Sequence, residues 1–271
     1  MTRQPATRPG TVTETAGLEV RGLTVGYRRR LAIERVDLTV GPGERVGIIG
    51  PNGAGKTSLL QAIVGATRAQ DGQVRVGGRS GRPARRLIGY LPQRAEVDWQ
   101  HPAQVRDVVA MGRYPHRGPV GRLRSDDRSA IAEALQRVEL SALAERRVAE
   151  LSGGQRQRTS LARVLAQQAP VLLLDEPYAG LDAATTTLIE RTLRDAAAAG
   201  TAVVVVDHDL GRLRGRYDRL VALDGKVVAT GPVDQVLTRS VLATTYGLAD
   251  VLAELDGGTD DPRSDVPGGR P

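Results

Sequence analysis

The chain has 271 residues and a formal net charge of +7, with 40% hydrophobic and 25% charged residues, the proportions of an ordinary globular protein. No apolar run approaches the roughly 20 residues of a membrane-spanning helix, and the N-terminal stretch lacks the apolar core of a secretory signal. The absence of cysteine excludes disulfides and thiolate metal sites, so a soluble intracellular protein is expected.

Aromatic residues make up 3%, too few for a platform that stacks single-stranded nucleic acid. The positive charge is almost all arginine, Lys56 and Lys226 being the two lysines. With no phenylalanine and abundant Ala and Val, this reads as biased codon usage rather than as the footprint of a nucleic acid or an anionic membrane.

Residues 1–17 are polar and read as a loose tail, as does the Gly- and Asp-rich end. The predicted division is a tail over 1–17, one folded unit over 18–250 and a second tail over 251–271. Leu18–Tyr27 and Glu34–Val40 alternate apolar and polar residues, as half-buried strands do. Gly41–Glu44 is a turn, and Arg45–Ile49 is a strand that runs into GPNGAGKT, Gly50–Thr57. Leu59, Leu60, Ile63 and Val64 then share one face of a helix over Ser58–Thr67.

From about 83 to 168 the pattern becomes that of a helical insertion. Ser125 is placed to cap a helix, with Asp126 and Asp127 in a first turn whose dipole favours anions and Ile131, Leu135 and Val138 along an apolar stripe. Ser152 precedes a helix carrying Leu161, Val164 and Leu165. The α/β pattern resumes with a fully apolar strand, Val171–Leu174, a helix over Ala183–Ala199 ended by Gly200, and a buried strand, Ala202–Val206. Leu220–Leu223 and Val227–Thr230 flank the hairpin signal Asp224-Gly225.

Three motifs carry chemistry. GPNGAGKT fits G-x-x-x-x-G-K-[ST] with a strand before it and a helix after it. In such a loop Gly50, Pro51, Asn52, Gly53, Ala54 and Gly55 bring backbone N–H groups onto phosphate oxygens. Lys56 reaches the β and γ phosphates, the Thr57 hydroxyl holds Mg²⁺, and Ser58 continues the helix N-terminus. Asp175 and Glu176 end an apolar strand, where ligands of open α/β sheets collect. Asp175 is suited to supporting a metal and Glu176 to polarising the attacking water. In LSGGQ, Leu151–Gln155, the Ser152 hydroxyl and the N–H groups of Gly153, Gly154 and Gln155 form either an anion site or an ordinary capped helix start.

In this order, GPNGAGKT, LSGGQ and VLLLDEP (Val171–Pro177) resemble the ATPase subunit of an ABC transporter, over roughly residues 18–250. The resemblance implies a P-loop NTPase of the ABC type: a mixed core sheet, an N-terminal antiparallel β subdomain and a helical insertion subdomain. It implies ATP and Mg²⁺ as cofactors, and ATP hydrolysis as the activity. Tyr27 then looks like the aromatic that stacks on adenine. Gln93, in LPQ, looks like the glutamine that senses Mg²⁺ and faces the membrane partner. Asp182, in AGLD, lies on the loop that crosses to a second subunit, and His208 is placed near the γ-phosphate.

The family pairs two copies head to tail, so Ser152 and Gly154 of one would close over ATP on the Gly50–Thr57 loop of the other. The implied partners are that second copy and a transmembrane permease, and the implied location is the cytoplasmic face of the membrane, as a peripheral subunit. Asp207 stands where the family usually has Thr or Ser. With Asp209 it brackets His208, whose pKa is expected to rise if either carboxylate faces the ring.

The cargo is read by analogy alone. Pro92–Trp99, Glu176–Asp182 and Gly231–Gly247 resemble the metal-ion uptake branch, which handles manganese, zinc or iron and whose receptor is extracytoplasmic. Met111–Gly118, MGRYPHRG, is also similar to the importers of iron–siderophore chelates and vitamin B12. A non-transport ABC ATPase acting on nucleic acid or the ribosome is the reading from another class. The chain lacks that branch's second domain or zinc-binding insertion, which argues against nucleic acid as a partner. His101 and His116 lack the paired spacing of metal ligands and read as surface residues near the permease contact.

Overall fold

The computed structural model describes residues 17–27, 30–93, 99, 101–118 and 121–247. The expectations for most of both tails, and for most of the Pro92–Trp99 string, lie outside them.

The period-2 alternation of the first segments folds them into a four-stranded antiparallel sheet. β1 (Leu18–Tyr27) lies between β2 (Arg30–Val40) and β4 (Asp71–Val76), and β5 (Arg79–Ser80) closes the edge, giving the order β2-β1-β4-β5. Its inner face, including Leu18, Val20, Leu23, Val25, Ile33 and Val36, is fully buried. β3 (Arg45–Ile49) instead enters a six-stranded sheet. That sheet also holds β6 (Ile88–Leu91), β7 (Val171–Asp175), β8 (Ala202–Val206), β9 (Arg219–Asp224) and β10 (Lys226–Pro232), in the order β10-β9-β3-β8-β7-β6. Every neighbouring pair is parallel except β9 and β10, whose hairpin turns at Gly225 with φ 64°. The core sheet is therefore mixed.

All five residues of β7 and of β8 are buried, because both faces of this sheet are covered. Alternate residues serve two cores. Leu172, Leu174, Val203 and Val205 face the helices, while Val171, Leu173, Val204 and Val206 face the antiparallel sheet and α1 (Lys56–Val64). α2 (Gly81–Arg85) packs on β4 and β5. The helical side is built from α3 (Val105–Ala110), α4 (Tyr114–Arg117), α5 (Ser125–Arg137) and α6 (Gly153–Ala166), with α7 (Ala183–Ala198) packed on the sheet. The short α8 (Val233–Val236) and α9 (Arg239–Tyr246) follow β10.

Two local expectations are corrected. β6 falls inside the segment expected to be helical, yet it pairs with β7 from Ile88↔Val171 to Leu91↔Leu174, so the helical part begins only after it. The N-cap of α5 is Arg124, not Ser125, since Ser125 is already helical. The Asp127 carboxylate caps the turn by accepting from the Arg124 N–H at 2.9 Å. It is fully buried and accepts from Arg113 at 2.9 Å and Arg117 at 2.8 Å. The helix start thus closes a buried ion triad rather than presenting a solvated first turn. These contacts, the backbone one first, hold the Asp127 carboxyl well below the usual carboxylate range.

Candidate nucleotide site

The loop leaving β3 takes its shape from glycines. A Cβ at Gly50 would stand 2.0 Å from the Leu223 carbonyl oxygen, and one at Gly55 2.3 Å from the Ala32 carbonyl oxygen. Gly55 is the N-cap of α1 and sits at φ 92°, in the left-handed region that other residues avoid. Gly65 at φ 75° ends the helix, so α1 starts two residues before the expected Ser58 and stops short of Thr67.

The loop walls a cleft of about 370 Å³ lined by Tyr27, Ala32, Asn52–Ser58, Gln93 and Glu176. Lys56, only 6% exposed, donates to the carbonyls of Gly50 at 2.6 Å and Pro51 at 2.8 Å. Burial lowers its pKa, while the charges of Glu176 and Asp175 raise it. Tyr27 stays 49% exposed on the rim, its hydroxyl 3.4 Å from Ser58 Oγ.

The carboxyl end of β7 brings the acidic pair to the same cleft. Glu176 adopts φ 51°, a costly conformation for a side chain with a Cβ and one that concentrates at functional sites. Its Oε1 lies 2.6 Å from His208 Nε2, and its Oε2 accepts from Gln93 Nε2 at 2.7 Å. Sequence positions 93, 176 and 208 thus meet at one carboxylate.

Asp175 is 1% exposed, and among the described residues neither of its carboxylate oxygens has a hydrogen-bond partner within 3.5 Å. Burial pushes its carboxyl up, a shift opposed by the neighbouring Thr57 hydroxyl and the Lys56 charge. An orphaned buried carboxylate beside a loop threonine is what a hard divalent cation requires, so these residues fit Mg²⁺.

Leu151–Gln155 does not line this cleft. Ser152 is the N-cap of α6: its hydroxyl accepts from the Gln155 N–H at 3.3 Å, and Gln155 Oε1 accepts from the Ser152 N–H at 3.0 Å. Gly153 is exposed, and a Cβ at Gly154 would come within 3.2 Å of Thr185 Oγ1. Asp182 caps α7, accepting from the Thr185 N–H at 2.8 Å and the Thr185 hydroxyl at 2.9 Å. The hydrogen bonds to Thr185 lower its pKa. The Ser152–Gln155 turn and the Asp182 turn therefore sit side by side, outside the cleft of their own subunit.

The carboxylates bracketing His208 do not face its ring. Asp207 turns inward to Arg216 at 3.0 Å and the Tyr217 hydroxyl at 2.8 Å, and Asp209 pairs with Arg212 at 3.4 Å. The carboxylate that meets the ring is Glu176. Arg216, Tyr217 and Tyr178 were not singled out from sequence. Asp207 drew notice as a departure from pattern, but nothing in RGRYDRL pairs Arg216 with it. His116 is engaged with the Gln167 carbonyl oxygen, 2.8 Å from its Nε2.

A mostly parallel sheet with a glycine phosphate loop after β3, and an acidic pair at the carboxyl end of β7, defines a nucleotide hydrolase of the P-loop class. A family model described as ABC transporter matches residues 33–179, and the chain belongs to that family. The chain is 40% identical over 234 residues to the manganese transport system ATP-binding protein MntB of Listeria monocytogenes, covering 86% of this chain and 98% of that one. It is 40% identical over 230 residues to the zinc transport system ATP-binding protein TroB of Treponema pallidum, covering 85% and 86%. Among solved structures it is similar to a dimeric ATP-binding cassette in a post-hydrolysis state bound to ADP and phosphate. There the TM-score is 0.69 and the identity 28%, over 80% of this chain and 98% of that one. The chain is an ATP-binding subunit whose activity is ATP hydrolysis. Among the described residues no helix is long and apolar enough to cross a membrane.

Proposed function

We propose that the chain is the ATPase subunit of an importer of manganese or a related metal ion, working as a head-to-tail pair beneath a transmembrane permease on the cytoplasmic face of the membrane. The cargo rests on the manganese and zinc transport names of relatives 40% identical over most of the chain. An extracytoplasmic receptor would deliver the ion to the permease.

The observation that carries the engine itself is Glu176, held between Gln93 and His208 at the mouth of the phosphate-loop cleft. Tyr27 offers its exposed ring to the base, and the loop N–H groups with Lys56 hold the phosphates. Thr57, Asp175 and Gln93 would hold Mg²⁺, which supplies screening of the phosphate charge. Glu176 accepts the proton of the attacking water, while His208 orients that carboxylate and stands near the terminal phosphate. The Ser152–Gln155 turn and Asp182, outside their own cleft, complete the site of the partner copy. Contacts made from both sides favour the closed pair over the open one, which only differential affinity can do.

Reconstitution with the co-purifying permease and receptor tests this reading. ATP-dependent uptake of Mn²⁺ or Zn²⁺, absent with Glu176→Gln, is expected. Uptake of a ferric chelate in place of the free ions would contradict the cargo.

A further inference from the structure

The ladder between β7 and β8 ends at Asp175↔Val206, and the Glu176 N–H to Val206 carbonyl bond of 3.1 Å is its last rung. Beyond that point no ladder pair joins the two segments among the described residues. One carries Glu176 and the other His208, yet their side chains meet at 2.6 Å. Something outside the ladder has to fix that spacing.

Arg216 occupies the place. It is 8% exposed and donates to Asp207 Oδ2 at 3.0 Å, one residue before His208. Its guanidinium lies 4.6 Å from the ring centroid of Tyr178, two residues after Glu176. It also donates to Glu190 of α7 at 2.6 Å. Asp207, 4% exposed, is held further by the Tyr217 hydroxyl at 2.8 Å and the Asp209 N–H at 3.0 Å, and its own N–H donates to the Ile48 carbonyl at 3.1 Å. One planar cation therefore pairs with the segment that carries the histidine and stacks on the segment that carries the glutamate. A guanidinium suits this double task because its fork fixes direction and its face stacks, neither of which an ammonium does.

We propose that Arg216, anchored by Asp207 and stacked on Tyr178, is a positioning residue that sets the geometry of Glu176 against His208. The inference rests on the reading that those two side chains act on the nucleotide. It predicts that Arg216→Lys, which keeps the charge but loses the fork, slows the chemical step and spares nucleotide binding.

The test is a mutant cycle on the full chain, with single-turnover ATP hydrolysis and ATP affinity measured separately. Arg216→Lys is expected to lower the hydrolysis rate about tenfold with ATP affinity held within about twofold. In a His208→Ala background the same substitution is expected to cost less than about twofold, because its target is already gone. Asp207→Asn is expected to behave alike and carries the test if Arg216→Lys does not fold. An unchanged rate, or an equal tenfold loss in both backgrounds, would overturn the proposal while leaving the assignment of Glu176 and His208 intact. Parental rates in both Glu176→Gln and His208→Ala would instead remove that assignment, and the positioning role with it.

Discussion

Replacing Glu176 with glutamine separates chemistry from structure at this site. The carboxylate has two partners: Gln93 Nε2 donates to one oxygen at 2.7 Å, and His208 Nε2 lies 2.6 Å from the other. A glutamine can keep both contacts, its oxygen accepting from Gln93 and its amide facing the His208 ring nitrogen. No buried group loses its partner, so the cost in stability is below about 1 kcal/mol, or roughly 2–4 °C in Tm for a domain of this size. What the amide cannot do is take a proton. Loss of the proposed base should slow turnover by about 10²- to 10⁴-fold, equivalent to about 2.7–5.5 kcal/mol of barrier. Phosphate release under saturating ATP, an ATP-binding titration and a melting curve together read all three quantities. The expected pattern is a collapsed rate, ATP affinity within about threefold of the parent and a nearly unmoved Tm. A rate within about tenfold of the parent would refute the role given to this carboxylate.

Other consequences follow from the same geometry. Gly50→Ala places a methyl 2.0 Å from the Leu223 carbonyl oxygen, so it should cost more than about 3 kcal/mol, lower the Tm by roughly 10 °C and abolish ATP binding. Asp175→Asn should weaken divalent-cation affinity in the ATP complex by at least about tenfold, read by Mn²⁺ titration of the ATP-bound protein. Because burial raises the Asp175 pKa, protons compete for the cation's place and the parent's cation affinity should fall as pH is lowered. Asp127 is shifted the other way, so the stability it adds is fully present above the ordinary carboxylate pKa and is lost as pH falls through its lowered value. Asp127→Asn should therefore melt below the parent at neutral pH, with the gap closing on acidification. A gap that does not change with pH would contradict the ion triad.

The phosphate loop was legible in the sequence because two of its glycines, Gly50 and Gly55, are imposed by close backbone approaches that tolerate no Cβ, and Gly53 by its positive φ. β7 and β8 were legible because strands covered on both faces must be apolar throughout. β6 was not: its four residues IGYL follow arginines in a segment whose neighbours are helical, and its place depends on pairing with β7, 83 residues on. Asp127 looked like an anion suited to a helix dipole, but its role comes from Arg113 and Arg117 folding back onto it. Asp207 was noticed, but the direction of its side chain was left open. Local sequence places it beside His208, while the strand end turns its carboxylate toward Arg216. Local rules reached what the backbone imposes and missed the ion pairs that tertiary folding assembles.

Mixing two crippled chains tests whether each nucleotide site is shared between two copies, as proposed above. Lys56→Ala disables the loop of one chain, and Ser152→Ala with Gly154→Asp disables the turn of the other. A mixed pair built as described has one intact shared site, so the mixture should hydrolyse ATP faster than either variant alone at the same total concentration. A mixture no faster than its components at any ratio would show that the turn at Ser152 does not serve the partner's nucleotide.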